Sequence, residues 1–95
     1  MIIEKDKNIN HSIFINNKNE LRELFGQYDE NIKLINQHFS IRISTRNDSK
    51  LVISGIKSET DKAVKIIEEL LAIIRNGHPL SIAEVRYHVE MSQNE

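Results

Sequence analysis

The tetrapeptide Gly26-Gln27-Tyr28-Asp29 joins one amphipathic segment, ending at Phe25, to another that places Ile32 and Ile35 on its apolar side. A glycine at such a corner lets the backbone turn and lets a ligand come close, while the following helix offers amides and the positive end of its dipole. Those features suit an anionic backbone. Tyr28 at the tip offers a ring for stacking, although a turn tyrosine can equally cover part of the core. Asn31 and Lys33 follow on the second segment, and Arg42 and Arg46 recur on one side of a later strand-like run. Gly26, Gln27, Tyr28, Asn31, Lys33, Arg42 and Arg46 are therefore the candidate nucleic-acid-binding residues. Lys18 and Arg22 would extend them into a basic rim between the second helix and the second strand. Asp29 works against all of this. As an N-cap, its carboxylate would satisfy the amides a phosphate needs and would repel the phosphate as well. Glu23 and Glu30 blunt the rim in the same way, so a plain capped corner within a mixed solvated surface is the competing reading.

The elements that must position these residues follow from periodicity. Residues 1–10 are charged and Asn-rich without a period and are expected to fray. His11 to Asn16 is a short β-prone run. Asn17 with Glu20 forms a capping box for a helix carrying Leu21, Leu24 and Phe25 on one face, closed by Gly26. Asp29 then caps a second helix to about His38, with Ile32, Ile35 and Phe39 inward. In the next run Ile41, Ile43 and Thr45 face one way, and Arg42, Ser44 and Arg46 the other. Asn47-Asp48-Ser49 turns the chain into a returning strand, Lys50 to Ser54, closed by Gly55. Ser58 opens the longest helix, whose positions 63, 66, 67, 70, 71 and 74 make a continuous apolar stripe up to Asn76 and Gly77. After Pro79, Ser81 with Glu84 is a second capping box, opening a last helix with Ile82, Val85 and Val89 on one side. Ile73, Val85 and Val89 serve either as extra core or as a docking face.

Composition narrows the function. Ninety-five residues, 39 % hydrophobic and 28 % charged, describe one soluble globular domain. With no cysteine, disulfides and thiolate metal sites are excluded and a cytoplasmic location is expected. Leu70 to Ile74 is the longest apolar run, too short for a membrane span, so no membrane partner is expected. The net charge of −1 lacks the basic excess of a dedicated nucleic-acid binder, so any such contact must be local and weak. Gly55-Ile56-Lys57-Ser58 lacks the Gly-Lys-Ser adjacency of a nucleotide loop. His11, His38, His78 and His88 have no paired spacing for a metal. Ser58 and Ser81 are better explained as helix caps than as nucleophiles. No catalytic residue, metal or cofactor is assigned.

The order β-α-α-β-β-α resembles a type I KH fold. It implies an α+β domain with a three-stranded antiparallel sheet covered by helices on one face, plus one C-terminal helix here. In such domains the loop between the first two helices holds a nucleic-acid backbone, and Gly26, Asn31, Ile32, Lys33 and Ile35 sit at KH-like spacing, with Asp29 in place of a second glycine. From about residue 12 to 91 the chain also resembles the N-terminal region of PhoH-like proteins, a phosphate-starvation-inducible P-loop ATPase family. The matching segments are Leu-Phe-Gly-Gln-Tyr-Asp-Glu-Asn-Ile-Lys-Leu-Ile at 24–35, Ile-Ser-Thr-Arg at 43–46, Val-Ile-Ser-Gly at 52–55 and Ile-Arg-Asn-Gly-His-Pro-Leu-Ser-Ile-Ala-Glu-Val-Arg-Tyr at 74–87. In that family an aspartate in the corner looks normal, and the ATP motif lies further on, with no counterpart here. The resemblance implies a KH-like domain over 11–77, and a C-terminal helix and start of a linker over 78–95. It implies the accessory domain of a longer ATPase, or a stand-alone relative of it, without enzymatic activity of its own, and the role expected of such a domain is to present single-stranded RNA to an attached ATPase domain. The alternative is a protein-interaction or oligomerisation module, docking on that domain or another subunit, with a degenerate loop.

Overall fold

A computed structural model describes residues 7–93. Its elements run β1 (Asn8–Phe14), α1 (Lys18–Phe25), α2 (Glu30–His38), β2 (Ile41–Arg46), β3 (Lys50–Ile56), α3 (Lys57–Arg75) and α4 (Ile82–Gln93), with a 3-10 turn over Gln27–Asp29. The strands form one antiparallel sheet in the order β1-β3-β2. This is the α+β, KH-like arrangement expected from the element order, with α4 added at the end.

Burial concentrates on α3. Ala63, Ile66, Ile67, Leu70, Leu71 and Ile74 are all buried, joined by Val64 and Thr60. Ile13, Ile15, Leu51 and Ile53 come up to them from one side of the sheet, with Ile41 and Ile43 half-buried at its edge. α1 adds Leu24, and α2 adds Leu34, Ile35 and Phe39. α4 packs against both α2 and α3 through Val85 and Val89, neither of which exposes any surface. Those two residues are core, and Ile73 leans on the same core. No described helix is long and apolar enough to cross a membrane.

Helix ends show where local chemistry prevailed and where it did not. Gly77, at φ +81, ends α3 with its N–H on the Ile74 carbonyl at 2.9 Å, while His78 N–H reaches the Ile73 carbonyl at 3.2 Å. Both bonds of a Schellman cap are thus made. Ser81 and Glu84 form a reciprocal capping box, each accepting the other's backbone N–H at 3.2 Å. Ser58 does not cap α3. It lies inside the first turn, and the capping position is Ile56, without a side-chain bond. β1 also begins earlier than expected. Asn8, Ile9 and Asn10 pair with Ile56, Gly55 and Ser54, and Lys57 N–H reaches the Lys7 carbonyl at 2.7 Å. These residues are strand rather than frayed chain, while residues 1–6 lie outside the described ones.

Glu20 has a larger role than a capping box gives it. Asn17 Oδ1 accepts the Glu20 N–H at 2.9 Å, as expected of an N-cap. The Glu20 carboxylate, however, accepts from the Asn16 N–H at 2.9 Å, one residue earlier than a box would close. It also takes a two-pronged contact from Arg75 at the end of α3, Nε at 2.9 Å and Nη2 at 2.7 Å. Arg75 Nη2 reaches the Phe14 carbonyl as well, at 3.0 Å. One buried carboxylate thereby ties β1, α1 and α3 together across 55 residues of sequence. The Arg75 hydrogen bonds hold the Glu20 carboxyl below its ordinary value near 4.5, against the opposing effect of burial.

Two predictions follow from these contacts. A depressed folded pKa means that the pair stabilises the fold fully above the unfolded carboxylate's value near 4.5, and that this contribution is lost as pH falls through the folded value. Glu20→Gln should cost about 2 kcal/mol at neutral pH, since hydrogen bonds to a charged group are lost, and should flatten the acid limb of stability. Denaturant melts at several pH values measure both, and equal acid sensitivity of the two proteins would rule the pair out as its source. Gly26 has φ +80, and a Cβ there would lie 2.7 Å from Asn31 Nδ2 and 2.8 Å from Asn31 Cγ. Gly26→Ala should therefore destabilise by about 2 kcal/mol through strain and clash, read as a lower melting temperature. An unchanged melt would mean that the corner relaxes freely.

Candidate nucleic-acid interface

Backbone geometry makes the corner sharper than a two-residue turn between helices. Gly26 leaves α1 at φ +80, and Tyr28 and Asp29 both follow in the left-handed region at φ +55 and +59. Asp29 N–H reaches the Gly26 carbonyl at 3.1 Å, closing the 3-10 turn before α2 starts at Glu30. Left-handed backbone is tolerated by aspartate more readily than by most residues, and is costlier for tyrosine. In consequence the Tyr28 ring projects outward and is 84 % exposed. It does not cover the core.

Asp29 does not cap α2. A capping side chain needs an extended backbone at that position; at φ +59 and ψ +25 the carboxylate makes no hydrogen bond to the helix amides. The expectation that it would occupy the phosphate's donors is corrected by this left-handed conformation. Its charge still counts, because Asp29 lines a cleft of about 280 Å³ beside the corner. Lys18 and Arg22 from α1 line that cleft together with Asp29 and Asp48, and Leu21 and Phe25 give it its apolar part. Lys18 Nζ lies 3.8 Å from Asp48 Oδ2. Two cations meet two carboxylates, so the cleft is close to neutral.

The other candidate residues scatter. Asn31 is 1 % exposed, beneath Gly26, with Nδ2 at 3.4 Å from the Glu23 carbonyl. It is a support for the corner and cannot touch a ligand. Its Oδ1 has no hydrogen-bond partner among the described residues. Gln27 is exposed and lines a second hollow, together with Arg22, Pro79 and Leu80. Lys33 is exposed on α2 but does not line the corner cleft. Arg42 and Arg46 do not line the corner cleft. Ile41 and Ile43 turn toward the helices, so the alternation of β2 sends Arg42 and Arg46 to the opposite face of the sheet. The basic rim of Lys18, Arg22, Lys33, Arg42 and Arg46 expected from the sequence is therefore two surfaces, not one.

Asp48 is the corner residue that sequence reasoning missed. It stands 30 residues from Lys18, and nothing local marks the β2–β3 turn as a neighbour of α1. Lys50 and Phe14 were missed on the other face, because their company with Arg46 depends on strand order. Elsewhere, His88 Nδ1 meets Glu69 Oε1 at 3.0 Å between α4 and α3, and His38 Nδ1 meets the Leu34 carbonyl at 3.0 Å. Among the described residues no three of His, Cys, Asp or Glu gather where a metal could be held.

Comparison with known proteins finds relatives of one kind. A PhoH-like protein of Bacillus subtilis (strain 168) is 30 % identical over 79 residues, covering 83 % of this chain and 24 % of the relative. A PhoH-like protein of Mycobacterium leprae (strain TN) is 34 % identical over 68 residues, covering 72 % of this chain and 19 % of the relative. The chain thus spans less than a quarter of the length of these curated relatives. No family profile matches it, and no solved structure does. At the level of this one domain, the chain belongs to the PhoH-like family.

Proposed function

We propose that this domain is a non-catalytic RNA-holding module, one that presents single-stranded RNA to the P-loop ATPase which the family resemblance implies for the longer protein. The observation that carries the reading is Tyr28, an aromatic ring 84 % exposed at the tip of a left-handed corner. Burying such a ring against a base recovers apolar area that the fold leaves in water, and stacking is indifferent to base identity. Behind it α2 presents an N-terminus that no side chain caps, so its dipole is open to a phosphate. Arg22 and Lys18 supply cations. Asp29 and Asp48 offset them, and the binding is weak for that reason.

A second reading is favoured by Tyr87 and Met91, one turn apart on α4 and 59 % and 49 % exposed. They would be a docking face for the rest of a longer protein, with no role for the corner.

Titration of the chain with a labelled oligouridine at low and moderate salt separates the two. Binding that weakens as salt rises is expected from phosphate contacts. Asp29→Gly is a clean variant, because glycine accepts the left-handed backbone without strain. It should raise RNA affinity about fivefold, the effect of removing roughly 1 kcal/mol of like-charge repulsion at a few ångströms in water. Tyr28→Ala should lower it about tenfold through lost stacking. A chain that binds no RNA even at low salt would end the RNA reading.

A further inference from the structure

The helices leave one face of the sheet bare, and its residues are not a fair sample of the chain. The register sets three rows across it: Asn10–Ser54–Arg42, Ser12–Val52–Ser44 and Phe14–Lys50–Arg46. Three of these side chains are cations and none is an acid. None of the three described strands contains Asp or Glu, although the whole chain has 14 acidic residues against 13 Lys and Arg. Arg42, Arg46 and Lys50 also have no acidic partner among the described residues. A face that is merely solvated gains nothing from excluding one sign of charge, and mixed signs favour solubility equally well.

An aromatic group stands among these cations. Phe14 is 73 % exposed at the end of β1, with Lys50 Nζ 5.5 Å from its ring centroid. The middle row floors a hollow of about 340 Å³, bounded by Arg46 and Lys50 at one end and by Asn10 and Ser54 at the other. Through Asn10, Arg42 and Ser54 this hollow runs toward a larger cleft of about 730 Å³, where Asn36 and Gln37 add side-chain amides.

We propose that this helix-free face is a second binding surface for single-stranded RNA. Arg42, Arg46 and Lys50 pair with phosphates, and Phe14 stacks under a base. The hydroxyls of Ser12, Ser44 and Ser54, with the Asn10 amide, reach base edges or ribose hydroxyls. A duplex would leave the ring without a base to stack on. A protein partner would want an apolar centre, which Val52 and Phe14 alone do not make. The assignment rests on the reading that the domain binds RNA, but on residues separate from the corner. The two surfaces meet at the β2–β3 turn, where Asp48 lines the corner cleft and Arg46 and Lys50 begin the sheet face.

The test compares an Arg42→Ala/Arg46→Ala double variant, Phe14→Ala and Tyr28→Ala with the unaltered chain, using labelled oligouridine over a range of salt. All four substituted side chains are exposed, so melting temperatures should stay close to that of the unaltered chain and serve as the control for folding. The double variant should lose about tenfold in affinity at low salt, and its slope of log affinity against log salt should fall by about 1.4, two phosphates at ~0.7 each. Phe14→Ala should lose about tenfold with no change of slope, as stacking rather than charge is removed. If both bind as the unaltered chain does while Tyr28→Ala is weakened, the sheet-face proposal is overturned and the corner reading stands. If the unaltered chain binds no RNA at all, both fall. If the double variant loses heparin and oligouridine alike while Phe14→Ala loses neither, the face is a general polyanion patch and the RNA assignment is overturned.

Discussion

The sheet, α1 and α4 of this domain all lean on the apolar stripe of α3, and α2 is held in turn by α4 and α1. A chain of 95 residues has material for one core, and a 19-residue helix with eight buried positions supplies most of its length. The three-stranded sheet can bury only one face against it, and α1 and α4 take its flanks. That arrangement has a fixed consequence. The second face of the sheet is left to water, and alternate residues of each strand are released from the demands of packing. Arg42 and Arg46 are there because Ile41 and Ile43 had to be elsewhere. The Glu20–Arg75 pair sets the remaining degree of freedom, anchoring the start of α1 to the end of α3 and to the Phe14 carbonyl. With its N-terminus held this way, α1 delivers the corner at Gly26 to a defined place beside the β2–β3 turn. The carboxylate is buried while the guanidinium remains partly in water, a geometry that limits the desolvation cost of the pair.

Much of this was legible in the sequence, for reasons that differ by element. The α3 stripe, its Gly77 stop and the Ser81–Glu84 box depend on residues within one or two turns of each other, so local pattern is enough. The β2–β3 hairpin was legible on the same ground, through its turn residues and the alternation on either side. Asp29 was not. Its side chain is the right chemistry for a cap, but Tyr28 and Asp29 itself both lie in the left-handed region, and the carboxylate makes no bond to the helix amides. Asn31 failed for a related reason: spacing placed it on the second helix, but only the close approach of Gly26 shows that its side chain is underneath. Glu20 is a mixed case: the Asn17 cap on its N–H is made as local pattern expects, but its carboxylate goes to Asn16 and to a partner 55 residues away. The strand order β1-β3-β2 is non-local, and with it went the knowledge that Phe14, Lys50 and Arg46 share one row.

Charge shows how an average can mislead. A net charge of −1 argues against strong nucleic-acid binding, and for the corner cleft the argument holds, since Lys18 and Arg22 meet Asp29 and Asp48 there. The same net charge conceals a segregation by element. The described acidic residues all lie on helices, turns and the corner, and the strands carry none. A sheet with one solvated face turns that segregation into geometry, because all the strand cations project to the same side. The electrostatic footprint of this domain is thus set by which secondary structure holds which sign, not by the sum of charges.

Corner and sheet face then stand in a definite physical relation. They share the β2–β3 turn as a border, with the Lys18–Asp48 contact on one side of it and the Arg46–Lys50 row on the other. That contact, between side chains 80 % and 55 % exposed, stabilises little in water, as exposed pairs at such distances contribute a few tenths of a kcal/mol at most. An anion arriving at the corner competes with Asp48 for Lys18 at small cost, and the released carboxylate remains beside the cleft to oppose it. An anion arriving on the sheet face meets no such competitor, since its cations have no acidic partner to give up. The asymmetry follows from where the acids fall in the fold, and it makes the face that the helices leave uncovered, rather than the glycine corner, the less hindered place for a phosphate.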